Sequence, residues 1–273
     1  MMDETPKPLC TERNSTDAAD LCSVVIPTLN EGPWLARSLD ELRRIPNVAE
    51  IIVADGGSVD ATVAIAQRYG CRIVSGGSPA RGRNIGAAQA ERELILFADA
   101  DAVVTVDALT AGIKLIHRYD LVAVFFPLRP LSSFRADRLA YGIVDFYLRM
   151  MACLGMPQGL GSCMLVRKSA FIRIAGFDEG IRVSEDLEIS NRLRQVGQAA
   201  LAKNTWVWVS ARRLRMENPW VFGAKCLLWA TLRLLRLRTS GIAYRWVRYP
   251  EEIATDEAAY LKKITNLPNR RDA

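Results

Sequence analysis

From Leu21 onward, short runs of apolar and β-branched residues alternate with stretches whose apolar positions recur every three or four residues. This is the pattern of βα units that build a mostly parallel sheet. CSVVIPT at 22–28 predicts the first strand. A helix over about 33–44 follows, with Trp34, Leu35, Leu39 and Leu42 inward and Pro33 in its first turn. EIIVADG at 50–56 predicts the second strand. Asp60 then caps a helix that runs to about Tyr69, Gly70 ends it, and CRIVS gives a third strand. A helix after Arg81 leads into ELILFADAD at 93–101, and another from about Val106 to Tyr119 leads into LVAVFFP.

Beyond this point the spacing loosens. A long apolar helix-like segment covers 132–154, followed by a Gly-rich loop at 158–161, the strand SCMLVRK and the helix SEDLEISNRLRQVG. A last strand-like run, TWVWVSARR, precedes a basic and apolar helix over 219–238. Lys225, Arg233 and Arg236 fall in one arc of that helix of roughly 80° at 100° per residue, so its apolar side can enter a membrane interface or pack on the domain. Three parts are expected: a flexible N-terminal tail over 1–20, an α/β domain over 21–215, and a C-terminal amphipathic helical extension over 216–273.

Acidic residues collect where predicted strands end. In open α/β sheets ligands bind in the crevice outside the carboxyl ends of the strands, so Asn30, Glu31, Asp55, Asp99 and Asp101 are expected to converge. Many carboxylates together are costly without a cation. Asp99-Ala100-Asp101 leaves the strand with its two side chains alternating about Ala100, and hard oxygen ligands of this kind suit Mg2+ or Mn2+ shared with substrate phosphates. A turn rich in acids that caps the next helix is the competing reading. Ser184-Glu185-Asp186 opens a helix, where acids also favour the helix dipole.

Composition narrows the partners. A formal net charge of +6 suits a phosphate-bearing partner, whether nucleic acid, an anionic membrane surface or a sugar nucleotide. Nucleic acid fits least, because the basic residues do not interleave with aromatics on a recognisable module. The six cysteines form no CxxC pair and do not cluster with His117, the only histidine. Cys22, Cys71 and Cys163 read as small buried apolar groups in a reducing cytoplasm, and His117 as a structural or surface residue. The polar start of the chain lacks signal-peptide character, and no run reaches the roughly 18 apolar residues of a transmembrane helix.

Five segments read together are more specific than any one: VVIPTLNE (24–31), ADGGSVDAT (54–62), ARGRNIGA (80–87), ADAD (98–101) and SEDLEIS (184–190). In this order and spacing the sequence resembles the family 2 glycosyltransferases over about 21–215. The resemblance implies a Rossmann-like GT-A fold and an inverting, metal-dependent transfer of a sugar from a nucleoside diphosphate sugar, UDP-linked by default with GDP-mannose open. It further implies that Pro27, Leu29 and Glu31 line the nucleotide pocket and that Asp55 hydrogen-bonds the base. Arg81 and the 82–84 turn close over base and ribose, Asp99 lies near the ribose, and Asp101 coordinates the metal. Asp186 becomes the general base, with Glu185 beside it, and Gly176-Phe177-Asp178-Glu179 matches a further family element. Arg212, Arg213 and Arg215 are candidates to assist the departing nucleotide, with a solvated basic strand end as the alternative.

The chain lacks the QxxRW element of processive synthases, which favours a single transfer. The acceptor hydroxyl is unidentified, with lipid-linked acceptors among the options, and the expected location is the cytoplasm with peripheral contact at the inner face of the membrane. Two other classes stay open: a sugar-nucleotide nucleotidyltransferase, which would release pyrophosphate from a nucleoside triphosphate, and a nucleotide-sugar-binding protein without turnover.

Overall fold

The computed structural model describes residues 18–161, 163–181, 184–212, 214 and 251–265. The expected tail, up to residue 17, and the amphipathic segment 219–238 lie outside the described residues. After a single 3-10 turn, Ala18–Asp20, the elements run β1 (Cys22–Thr28), α1 (Gly32–Leu42), β2 (Val48–Asp55), α2 (Thr62–Arg68), β3 (Arg72–Ser75), α3 (Pro79–Gln89), β4 (Leu94–Ala98), β5 (Ala102–Val103) and α4 (Val106–Arg118). They continue with β6 (Ala123–Phe125), β7 (Leu128–Pro130), α5 (Arg135–Cys153), β8 (Cys163–Arg167), α6 (Lys168–Arg173), α7 (Glu185–Val196), β9 (Ala199–Leu201), β10 (Val207–Val209) and, as α8, Glu251–Thr265.

Seven strands form the central sheet in the order β3-β2-β1-β4-β8-β6-β9. All its neighbours pair in parallel except β8, which runs antiparallel between β4 and β6. Both faces of the sheet are buried, which explains why its strands read as nearly continuous apolar runs. Val24 and Ile26 of β1 and Leu94 and Leu96 of β4 join Leu35, Leu39 and Leu42 of α1 and Ile113 and Ile116 of α4 in one core. Val25, Ile95 and Phe97 point the other way, into a second core with Ala80 and Ala87 of α3, Phe171 of α6 and Ile189 and Leu193 of α7. A small second sheet, β5-β10-β7, lies where the chain leaves β4.

Helix starts account for the main local differences from expectation. Ser78 accepts from the Arg81 N–H and Pro79 sits at the first helical position, so 79–89 is helix and not a turn at 82–84. Gly82 serves close packing instead: a Cβ there would lie 3.3 Å from Ala54 and 3.5 Å from Pro27. The Asp60 carboxylate accepts from the Thr62 N–H at the start of α2 and from the Gly32 N–H at the start of α1, tying the two helix starts together. Asp99-Ala100-Asp101 is a turn closed by a hydrogen bond from the Ala102 N–H to the Asp99 carbonyl, not an extension of β4, so strand alternation does not govern its side chains.

Cys22 and Cys163 are fully buried in the first core, and burial pushes the Cys22 thiol up to about 12. Cys71 is only partly buried against that core. His117 pairs with Asp20 on the surface, at 3.3 Å. Among the described residues no helix is long and apolar enough to cross a membrane.

At Gly86 α3 sits hard against β1: a Cβ there would stand 2.4 Å from Cγ1 of Val25. Gly86→Ala should therefore push α3 off β1 and destabilise the protein by about 1–3 kcal/mol despite alanine's better helix propensity. Urea unfolding is the measurement, and an equal or higher midpoint would show that α3 is not seated by this contact.

Candidate functional site

The carboxyl ends of β1, β2 and β4 bring their acidic residues to one edge of the sheet, and two arginines organise them. Arg212, just after β10, holds Glu31 by a bidentate pair, Nη1 to Oε2 at 2.5 Å and Nη2 to Oε1 at 2.7 Å. Its Nε lies 3.1 Å from Oδ2 of Asp101, and its guanidinium stacks on the Trp34 ring at 4.6 Å. Burial raises the Glu31 carboxyl to about 7, against the downward pull of the Arg212 pair. Arg212 is itself buried, so a solvated basic strand end does not describe it.

Arg83 does the same work on the other side of the turn. Its Nη2 donates to Oδ1 of Asp99 at 2.7 Å and to the Gly161 carbonyl at 3.4 Å, and its Nη1 donates to Oε1 of Glu185 at 3.1 Å. Burial opposes the charge on Arg83, but Asp99 and Glu185 outweigh it and hold the group firmly protonated. The guanidinium rests 5.3 Å from the Phe177 ring, which joins Phe97 and Phe171 in an aromatic cluster. Asn84, next along α3, fixes Phe177 from both sides: its Oδ1 accepts from the Phe177 N–H and its Nδ2 donates to the Phe177 carbonyl.

Asp186 enters this network through the backbone. Its Oδ2 accepts from the Gly161 N–H at 2.7 Å and its Oδ1 from the Leu187 N–H at 2.8 Å. Burial, and after it the neighbouring Glu185, raises its carboxyl to about 6 against the pull of those N–H groups and Arg83. Ser184 ahead of it adopts the left-handed conformation, φ 61°, as the chain turns into α7.

The remaining predicted residues lie at the margins. Asp55 accepts four hydrogen bonds, from the Gly57 and Ser58 N–H groups, the Ser58 hydroxyl and, at a longer 3.3 Å, the Thr28 hydroxyl. This turn is knitted to the end of β1, because Asn30 donates its N–H to Ser58 Oγ and accepts from the Val59 N–H. Pro27 is buried at the end of β1 and Leu29 partly buried just after it. Arg81 is exposed, its side chain running along the Gly77 turn and not among the carboxylates.

Thus, among the described residues, Glu31, Asp99, Asp101, Glu185 and Asp186 share one polar cluster with ion pairs to Arg83 and Arg212, five carboxylates against two guanidiniums. Arg83 is not singled out in the sequence, where the apolar pattern gives a helix after Arg81 and the resemblance implies a turn at 82–84. In α3 position 83 lies on the same face as Ala80 and Ala87. No group of three or more metal-ligating side chains that could by itself hold an ion occurs among the described residues. Asp99 and Asp101 offer hard carboxylate oxygens of the type that suits Mg2+ or Mn2+, each also paired with an arginine.

Residues 23–175 match the family described as Glycosyl transferase family 2. The poly(ribitol-phosphate) beta-N-acetylglucosaminyltransferase TarS of Staphylococcus aureus is 28% identical over 115 residues, 37% of this chain and 20% of that protein. The succinoglycan biosynthesis protein ExoA of Rhizobium meliloti is 28% identical over 194 residues, 64% of this chain and 58% of that protein. The chain thus matches only a fifth to somewhat over half the length of these relatives. Among solved structures, the mannosyltransferase PcManGT of Pyrobaculum calidifontis, in complex with GDP-Man and Mn2+, superposes with a TM-score of 0.63 at 18% identity, covering 91% of this chain and 76% of that one. The fold is the Rossmann-like GT-A type, and the chain belongs to glycosyl transferase family 2.

Proposed function

We propose that this chain transfers one sugar from a nucleoside diphosphate sugar, UDP-linked by default, to an acceptor hydroxyl, with inversion. The observation that carries this is the excess of carboxylates over guanidiniums where β1 and β4 end, a cluster that a divalent cation would balance. Similar solved structures hold UDP-GlcNAc or GDP-Man, which supports a nucleotide-sugar donor while leaving both bases in play.

Asp101 and Asp99 hold Mg2+ or Mn2+ in this reading; when bound, the ion supplies Lewis-acid stabilisation of charge on the departing diphosphate. Pro27, Leu29 and Glu31 line the nucleotide pocket, Arg81 covers base and ribose, and Asp55 contacts the base by giving up its long hydrogen bond from Thr28. Arg83 keeps Asp99 and Glu185 in place without competing for the donor, since it is itself buried. Asp186 takes the acceptor's proton as the hydroxyl oxygen bonds the sugar carbon and the bond to the phosphate oxygen breaks. Its backbone hydrogen bonds aim the carboxylate, and its raised affinity for protons makes it a better base than an ordinary aspartate.

We further propose a lipid-linked acceptor met at an anionic membrane surface, a reading that α5 supports. Leu139, Ile143, Phe146 and Met150, with Leu154 just beyond the helix, are all exposed and recur in steps of three or four, with exposed Arg135 and Arg138 at the N-terminal end. An apolar stripe beside cations suits a cytoplasmic enzyme resting on an anionic membrane and drawing a lipid-linked acceptor from it.

Removing the metal-site carboxylate should separate binding from folding. Asp101→Ala is expected to lower Mn2+-dependent affinity for UDP or GDP at least tenfold in a protein that still unfolds cooperatively; unchanged calorimetric affinity for both nucleotides would take Asp101 out of the site.

A base with its carboxyl at about 6 must be ionised to act, so kcat/KM should fall about tenfold per pH unit below that value and level off above it. Asp186→Asn should bind donor normally yet lose at least a hundredfold in turnover. Its amide also sets an NH2 against one of the two backbone N–H donors, which costs about 1 kcal/mol of stability. Wild-type turnover, or an acid limb that survives in the variant, would move the role to Glu185.

Ile143→Glu with Phe146→Glu should abolish co-sedimentation with anionic vesicles at low salt. Wild-type protein that stays in the supernatant with both anionic and neutral vesicles would remove the membrane from the proposal.

A further inference from the structure

α8 returns to the site edge of the sheet and places one carboxylate, Glu257, at zero solvent exposure beneath Arg212. Oε1 of Glu257 accepts from the Ser210 hydroxyl at 2.7 Å and from the Ala211 N–H at 3.0 Å. Oε2 accepts from Nε1 of Trp34 at 3.2 Å and from both terminal nitrogens of Arg37 at 3.3 Å. Two of these partners, Ser210 and Trp34, lead to Arg212. The Ser210 hydroxyl, which donates to Glu257, accepts from the Arg212 backbone N–H at 3.1 Å, while the Trp34 ring underlies the Arg212 guanidinium. One carboxylate therefore sets both the backbone and the head of the arginine that spans Glu31 and Asp101.

We propose that Glu257 is a positioning residue for the donor site: acting through Ser210 and Trp34, it holds Arg212 so that Asp101 and Glu31 keep the geometry that a metal-bound nucleoside diphosphate requires. Helix docking does not need a buried charge. Ala254 and Leu261 already bury apolar surface on α8, Leu261 against Val103 and Leu131. Arg37, whose own charge burial disfavours, balances Glu257 and leaves Arg212 to its two carboxylates. The inference rests on the reading of Asp101 as a donor-site residue.

The test uses the full-length chain and calorimetric titration with UDP and with GDP in the presence of Mn2+. Glu257→Ala is expected to weaken binding of the nucleotide that wild type takes by tenfold or more. Leu261→Ala, which loosens α8 without removing the carboxylate, should stay within twofold of wild type even where its Tm falls as far. Glu257→Gln keeps acceptor capacity toward Ser210 and Ala211 and should recover most of the affinity; it also serves as the probe if the alanine variant does not fold. Because Glu257 acts through Arg212, Arg212→Gln combined with Glu257→Ala should bind no worse than Arg212→Gln alone. Losses that add, or equal affinities of Glu257→Ala and Leu261→Ala, would overturn the positioning role. Wild-type protein that binds neither nucleotide with Mn2+ would instead overturn the donor-site reading, and this inference with it.

Discussion

Neutralising clustered carboxylates at the edge of a buried sheet is the constraint on which the site depends. Strand ends at β1 and β4 deliver Glu31, Asp99 and Asp101 to a place where water is partly excluded, and ionised acids there repel one another. Two buried guanidiniums relieve that repulsion in part. Arginine suits the task because its planar fork serves two carboxylates at once and stays charged when buried. Arg212 spans Glu31 and Asp101, and Arg83 spans Asp99 and Glu185.

This arrangement also explains how distant parts of the chain become one site. Arg83 comes from α3, a helix seated on β1 through Gly86, so its depth depends on the packing of that helix. Arg212 comes from the end of β10 and is aimed by Trp34 of α1 and, through Ser210, by Glu257 of α8. The family match ends at residue 175, yet Glu185, Asp186, Arg212 and Glu257 all lie beyond it. The second half of the chain thus brings Glu185, Asp186 and one of the two guanidiniums to the strand-end acids of the first half.

Rigidity is distributed accordingly. Where the site needs a fixed edge, hydrogen bonds saturate the backbone: Asp55 accepts four, Asn30 ties the β1 end to the β2 turn, and Asp60 joins two helix starts. Among the described residues Asp186 accepts two, both from N–H groups, which leaves lone pairs on its carboxylate.

Much of the framework was legible in sequence because it rests on local period. β1 begins and ends at the residues expected, and β2, α1 and α4 agree to within about two, since apolar spacing registers directly which face is buried. The strand-end rule likewise placed Glu31, Asp55, Asp99 and Asp101 at one edge of the sheet. The resemblance implied a turn at 82–84 where the local pattern already gave a helix after Arg81; Gly82 serves close packing on Ala54 and Pro27, and Arg83 was singled out by neither reading. Local reading also left Arg212 undecided. Its partner Glu31 is 181 positions away, and Glu257 reaches Trp34 across 223. Composition and periodicity carry information over a few turns of helix or one strand, so they determined the layers and the acids at their edge. Which cation meets which acid depends on long-range docking of α3, β10 and α8, and only the tertiary structure decided that.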